Sequence, residues 1–191
     1  MDFFKFKNDL TPGKGRLLIS EPFLPDPNFE RTVVLLCEHN EDGSFGFVLN
    51  KLSMLTLEDI MNDIDNFPQP VHVGGPVQQD TLHFIHKAAY LEGGVALGNG
   101  LYWGGNFEQL LHLIENSEAD THDFKFFIGY SGWSSGQLEQ ELDANSWIVT
   151  PEATAELVFD EDVEALWKRV LQGLGGRYNV YSNYPIDPRL N

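Results

Sequence analysis

Apolar positions fall into short runs bounded by turn residues through the first half of the chain, and into helical stripes toward its end. Leu-rich or β-branched runs over 15–20 and 31–38 predict two strands. A further run over 44–50 follows Asp42-Gly43, and an Asp-Gly pair between two such runs predicts a hairpin. Thr56, with Asp59 three residues later, has the form of a helix N-cap and predicts a short helix over 57–63, stopped by Pro68 and Pro70. Short strands are expected at 71–73, 82–87 and 102–104. Phe107, Leu110, Leu111 and Ile114 recur at helical spacing and predict a helix over 106–116. The nearly continuous apolar run over 124–130 suits the centre of a sheet. A short helix over 136–142 and a strand at 147–149 follow, and Thr150-Pro151 predicts the start of another helix. Val163, Leu166, Trp167, Val170, Leu171 and Leu174 form one stripe, with acids before it and Lys168 and Arg169 near its end, matching the helix dipole. Strands and helices do not alternate strictly. The fold class expected is α+β, one domain over residues 1–191 with a mixed or largely antiparallel sheet and several helices.

Composition narrows the function. With 191 residues, 42% of them hydrophobic, the chain can bury a full core without staples. Lys and Arg number 12 against 29 Asp and Glu, a net charge of −17, which opposes the phosphate neutralisation that nucleic-acid binding needs. The acid is uneven: nine acidic residues and no base lie between Lys125 and Lys168. That stretch reads either as a solvated face or as a docking face for a basic partner. Cys37 is the single cysteine, which excludes an internal disulfide and a zinc site built on several thiolates. The N-terminal residues hold no signal-peptide pattern, and no run approaches the ~20 apolar residues of a membrane span. A cytoplasmic location away from membranes is expected.

Several motifs carry chemistry. Gly132-Trp133-Ser134-Ser135-Gly136 fits the Gly-x-Ser-x-Gly of a nucleophile elbow. In the α/β-hydrolase order the triad His follows the Ser, and here all six histidines precede Ser134. The alternative is a glycine-rich turn whose Ser caps the following helix. His83 and His86 resemble a short metal motif, but residues three apart on a strand point to opposite faces. Gly13-Lys14-Gly15-Arg16 lacks the spacing of a phosphate-binding loop, and Gly98-Asn99-Gly100 is a lone Gly-x-Gly. Glu38, His39 and Asn40 sit beside a strand end, where they read as an acid–base group or as turn residues. If distant segments converge, Arg31, Glu38, His39 and Asn40 would meet Gly74, Gly75 and Pro76 with Gly132 and Trp133 in one anion-tolerant cleft, Trp133 forming an apolar wall. The competing account is that these glycines serve tight packing. No catalytic residue, metal ligand or cofactor is assigned.

Taken jointly, several segments resemble the AlgH/YqgE family of small bacterial proteins. They are Gly15-Arg16-Leu17-Leu18-Ile19-Ser20 with Pro22, Asp26 and Phe29, then Arg31-Thr32-Val33-Val34-Leu35-Leu36-Cys37-Glu38-His39-Asn40. Gly43-Ser44-Phe45-Gly46-Phe47-Val48-Leu49-Asn50, Gly74-Gly75-Pro76-Val77, Gly129-Tyr130-Ser131-Gly132-Trp133, Gly136-Gln137-Leu138-Glu139 with Glu141, and the closing Asp187-Pro188-Arg189-Leu190-Asn191 complete the set. The resemblance implies an α+β domain with a strongly bent sheet, a cytoplasmic location and no established catalytic activity. The family carries a transcriptional-regulator label, but no helix-turn-helix with a basic second helix is present here. Near Ser131 and Ser134 the family has Ala and Gly, so a serine elbow is not among the features implied. The leading expectation is a non-catalytic protein that binds a protein partner or small ligand, with any regulatory outcome indirect. A hydrolase using its glycine-rich loops is the alternative, and direct DNA binding ranks third.

Overall fold

The strand Phe124–Ser134 organises the molecule, because its two edges pair with three other strands. The computed structural model describes residues 10–61, 64–65 and 67–186. Its strands are β1 (Arg16–Ser20), β2 (Val33–Asn40), β3 (Gly43–Val48), β4 (Leu52–Thr56), β5 (Pro70–Val73), β6 (Val77–His86), β7 (Val95–Gly98), β8 (Leu101–Trp103), β9 (Phe124–Ser134) and β10 (Trp147–Glu152). Its helices are α1 (Leu57–Ile60), α2 (Phe107–Glu115), α3 (Gln137–Asp143), α4 (Ala155–Val158), α5 (Val163–Leu174) and α6 (Tyr178–Tyr181). The N-terminal segment 1–9, the expected helix end at 62–63 and the closing residues 187–191 lie outside the described residues.

The sheet runs β10-β1-β2-β3-β9-β6-β8-β7, with β4 and β5 as a side branch. Its ladders are antiparallel except for β5 against β9, so the fold is a mixed α+β domain. Along one edge β9 pairs first with β5 through Phe126–Ile128 and then with β3 through Ser131–Ser134. Gly129 sits between these partners at φ +66, a backbone state that glycine adopts without strain.

Alternation along the strands sorts three cores. Leu17, Ile19, Val33, Leu35, Cys37 and Phe47 face α5 and α6, packing on Leu166, Trp167 and Leu171. Leu18, Val34, Leu36 and Val48 face the other way, toward Leu138 of α3. Phe124 and Phe126 of β9 join Leu110 and Ile114 of α2. Trp167 fixes α5 by donating its indole N–H to the Ser20 carbonyl at 3.0 Å.

One expectation is corrected, and three elements were not foreseen. Pro151 does not open a helix: β10 runs through it to Glu152, which pairs with Arg16, and α4 starts later behind Thr154. Because β10 ends the sheet, the N–H that proline lacks is not needed by a neighbouring strand. The strands β4 and β7 were not expected, since their mostly exposed residues give no buried run. Nor was α6, a single turn packed against α5.

Candidate functional site

The β2–β3 hairpin builds one wall of a cleft of about 590 Å³. At its tip Asn40 Oδ1 accepts from the Asp42 amide at 2.9 Å, and Asn40 Nδ2 donates to Glu38 at 2.6 Å. Gly43 lies so close to β9 that a Cβ there would overlap the Trp133 carbonyl. Ser135 adds a bond from its hydroxyl to the Glu41 carbonyl at 2.6 Å, so the tip is held on the end of β9.

Aromatic rings form the floor. Phe45 lies 4.7 Å from Trp103 and 6.1 Å from Tyr130, centroid to centroid. His83 approaches Tyr130 at 6.0 Å and shares a 2.9 Å hydrogen bond with the Thr81 hydroxyl. Burial lowers the His83 pKa, which keeps this imidazole neutral at pH 7. Among the described residues Glu38 and Asp42 supply the formal charges of the lining, and no Lys or Arg contributes to it. The cleft is therefore aromatic and anionic.

Of the expected site residues, Glu38, Asn40, Gly132 and Trp133 line this cleft. The Trp133 indole is nonetheless committed to the α3 side, where it donates to Glu141 at 2.9 Å and meets the Trp147 ring. Trp103 takes the role of apolar wall that the sequence assigned to Trp133. His39 turns toward α3, with Nδ1 on the Ser44 hydroxyl at 2.7 Å and Nε2 3.7 Å from Glu139. Arg31 is elsewhere: its guanidinium donates to the Tyr184 carbonyl at 2.6 Å and lies over the Trp167 ring. Gly74 and Gly75 are buried against β9, where added Cβ atoms would overlap the backbone of Gly129 and Tyr130, so packing accounts for both. Pro76 is exposed and outside the lining. The expected anion-tolerant cleft around Arg31 thus does not assemble.

Ser134 ends β9 and receives no imidazole; its hydroxyl and amide both donate to Gln137 Oε1, at 3.2 and 3.0 Å. The expected cap is reversed, with the helix side chain capping the serine. His83 packs on Phe47 in the α5-side core, whereas His86 stacks on Phe124 in the α2-side core. Among the described residues no group of three His, Cys, Asp or Glu could hold a metal ion. No helix there is long and apolar enough to cross a membrane. Phe45, Trp103, Tyr130, His83 and Asp42 were missed as site residues. Phe45, Trp103 and Tyr130 fall within three predicted strands, where an aromatic reads as core.

His72 gives a pH expectation. Burial, then the nearby Lys125, lowers its pKa to about 3, while a bond to the Phe126 carbonyl acts the other way. Between about 6.5 and 3 the unfolded chain binds a proton that the folded chain refuses, so stability falls as pH drops through that window. Urea midpoints measured from pH 7 to 4 should decline, and His72→Gln should flatten that decline. An unchanged slope in the variant would contradict the assignment.

Comparison with known proteins adds the family. The model of the AlgH-like family matches residues 17–179. A UPF0301 protein of Cytophaga hutchinsonii is 48% identical over 180 residues, covering 93% of this chain and 98% of that one. One from Bacteroides fragilis is 40% identical over 192 residues, covering 100% and 97%. The solution structure of AlgH from Pseudomonas aeruginosa superposes with a TM-score of 0.72 at 28% identity, covering 93% of this chain and 98% of that one. The family match and the full-length relatives agree with each other, and this chain belongs to the AlgH-like family of uncharacterised bacterial proteins.

Proposed function

We propose that the protein is a non-catalytic binding module whose hairpin cleft takes an organic cation, an ammonium or guanidinium group. The observation that carries this is the grouping of Phe45, Trp103 and Tyr130 with Glu38 and Asp42, with a neutral His83 and no Lys or Arg in the lining among the described residues. Aromatic faces attract cations, by roughly 0.5–2 kcal/mol each, and carboxylates at the mouth add to that attraction. A net charge of −17 steers a cationic ligand toward the protein and repels DNA. On this reading the protein works in the cytoplasm, and any influence on transcription passes through the bound ligand or partner. Calorimetric titration with benzyltrimethylammonium tests it. Saturable binding is expected, weakened by about threefold to thirtyfold in Trp103→Leu. Equal binding of benzoate, or no loss in the variant, would overturn it.

A hydrolase is the second reading, favoured by the 2.7 Å contact between His39 and the Ser44 hydroxyl. Against it, Ser44 is buried and its imidazole reaches Glu139 only at 3.7 Å, beyond hydrogen-bond distance. A fluorophosphonate probe should therefore label neither Ser44 nor Ser134. Labelling of either serine, lost on its replacement by Ala, would decide for the enzyme.

A further inference from the structure

A second cleft, of about 470 Å³, lies beneath the turn between α4 and α5 and reaches Lys125 of β9. Lys125 is 6% exposed, a rare state for a lysine without a carboxylate beside it. Among the described residues the one hydrogen bond of its side chain runs from Nζ to the Val158 carbonyl at 3.0 Å. The other titratable groups of the lining are His72, Lys87, His122, Asp160 and Glu161. Lys87 is paired with Asp123, His122 with Asp120 and Asp160 with Arg169, while Glu161 is exposed. Among the described residues Leu52, Pro70, Phe124, Phe159 and Val163 supply the apolar part of the wall, Gln69 and Thr121 add uncharged polar groups, and the Lys87 ammonium lies over the Phe159 ring at 4.8 Å.

We propose that Lys125 is a carbonyl-reactive amine and that this cleft takes a small neutral aldehyde or ketone, bound to Nζ as an imine. The Nζ lone pair forms a bond to the carbonyl carbon as the carbonyl π pair moves to oxygen. The two hydrogens of the neutral amine then leave with that oxygen as water, and a C=N bond remains. Desolvation in an apolar pocket is an established way to free a lysine for this attack. Burial lowers the Lys125 pKa to about 8. About a tenth of it is then unprotonated at pH 7, against well under a thousandth for a solvated lysine. A lysine serving only to cap the Val158 carbonyl would keep its Nζ in that 3.0 Å bond and react more slowly than exposed lysines.

Propanal with sodium cyanoborohydride at pH 7 separates these roles, since hydride transfer fixes the imine as a propyl-lysine that peptide mapping locates. The native chain is expected to acquire propyl at Lys125 at least about tenfold faster than at exposed Lys14 and Lys168. Lys125→Met should lose that fast adduct alone. The rate ratio in the native chain decides the matter without the variant. Modification of Lys125 at or below the rate of Lys14 and Lys168 would overturn the proposal.

Discussion

Gly75→Ala is expected to lower the thermal midpoint by about 6–12 °C, the consequence of roughly 3 kcal/mol in a chain of this size. A Cβ at this position would overlap the Tyr130 carbonyl and the Ser131 amide nitrogen, backbone atoms that cannot rotate aside as a side chain would. Relief requires β9 to move away from the segment joining β5 and β6. Tyr130 belongs to the floor of the hairpin cleft, so cation binding should fall together with stability. Gly173→Ala is the internal contrast. Nothing lies within 4 Å of a Cβ there, and the position is inside α5, where alanine is favoured over glycine by about 1 kcal/mol. Scanning calorimetry on the two variants should show opposite shifts. A Gly75→Ala midpoint within a degree or two of the parent would mean that the close approach of these backbones is not what holds the glycine in place.

Glu141→Ala should destabilise the chain by about 3 kcal/mol, because one carboxylate serves two buried indoles. Its Oε2 accepts from Trp133 at 2.9 Å and Trp147 at 2.7 Å, while Oε1 accepts from Gln137 at 2.9 Å. Alanine removes the acceptor from both indole N–H groups and unties α3 from β9 and β10. Glu141→Gln keeps one acceptor oxygen and should lose less. Urea denaturation followed by tryptophan fluorescence is the measurement. Equal stability of parent and alanine variant would contradict the account of this junction.

The periodic elements were legible because burial imposes period. The stripe from Val163 to Leu174 is α5, and the apolar run of 124–130 lies within the strand at the centre of the sheet. The strands β4 and β7 carry apolar residues, but each is short and most of those residues are exposed, so neither left such a trace. The lining of the cleft proposed to bind a cation was half legible. Glu38 and Asn40 announced themselves as polar residues at a strand end, and Gly132 as a glycine beside a turn. Phe45, Trp103 and Tyr130 did not, because an aromatic ring in a strand reads as core until the topology shows one end of the sheet left open. Arg31 misled for the converse reason: a lone base before a strand looks available, but the distant carbonyl of Tyr184 and the ring of Trp167 occupy it. Lys125 was visible as a charge within an apolar run, and its meaning depended on the α4–α5 turn that covers it.

The most direct test of the cation-binding account is a titration of the isotopically labelled chain with benzyltrimethylammonium, followed by NMR. The account predicts saturable shifts at the Trp103 indole N–H and at the amides of Phe45 and Tyr130, with the Trp147 indole unmoved. It also predicts that Glu38→Gln with Asp42→Asn weakens the binding. Shifts scattered over the acidic surface without saturation, or saturable shifts centred away from Phe45, Trp103 and Tyr130, would contradict it.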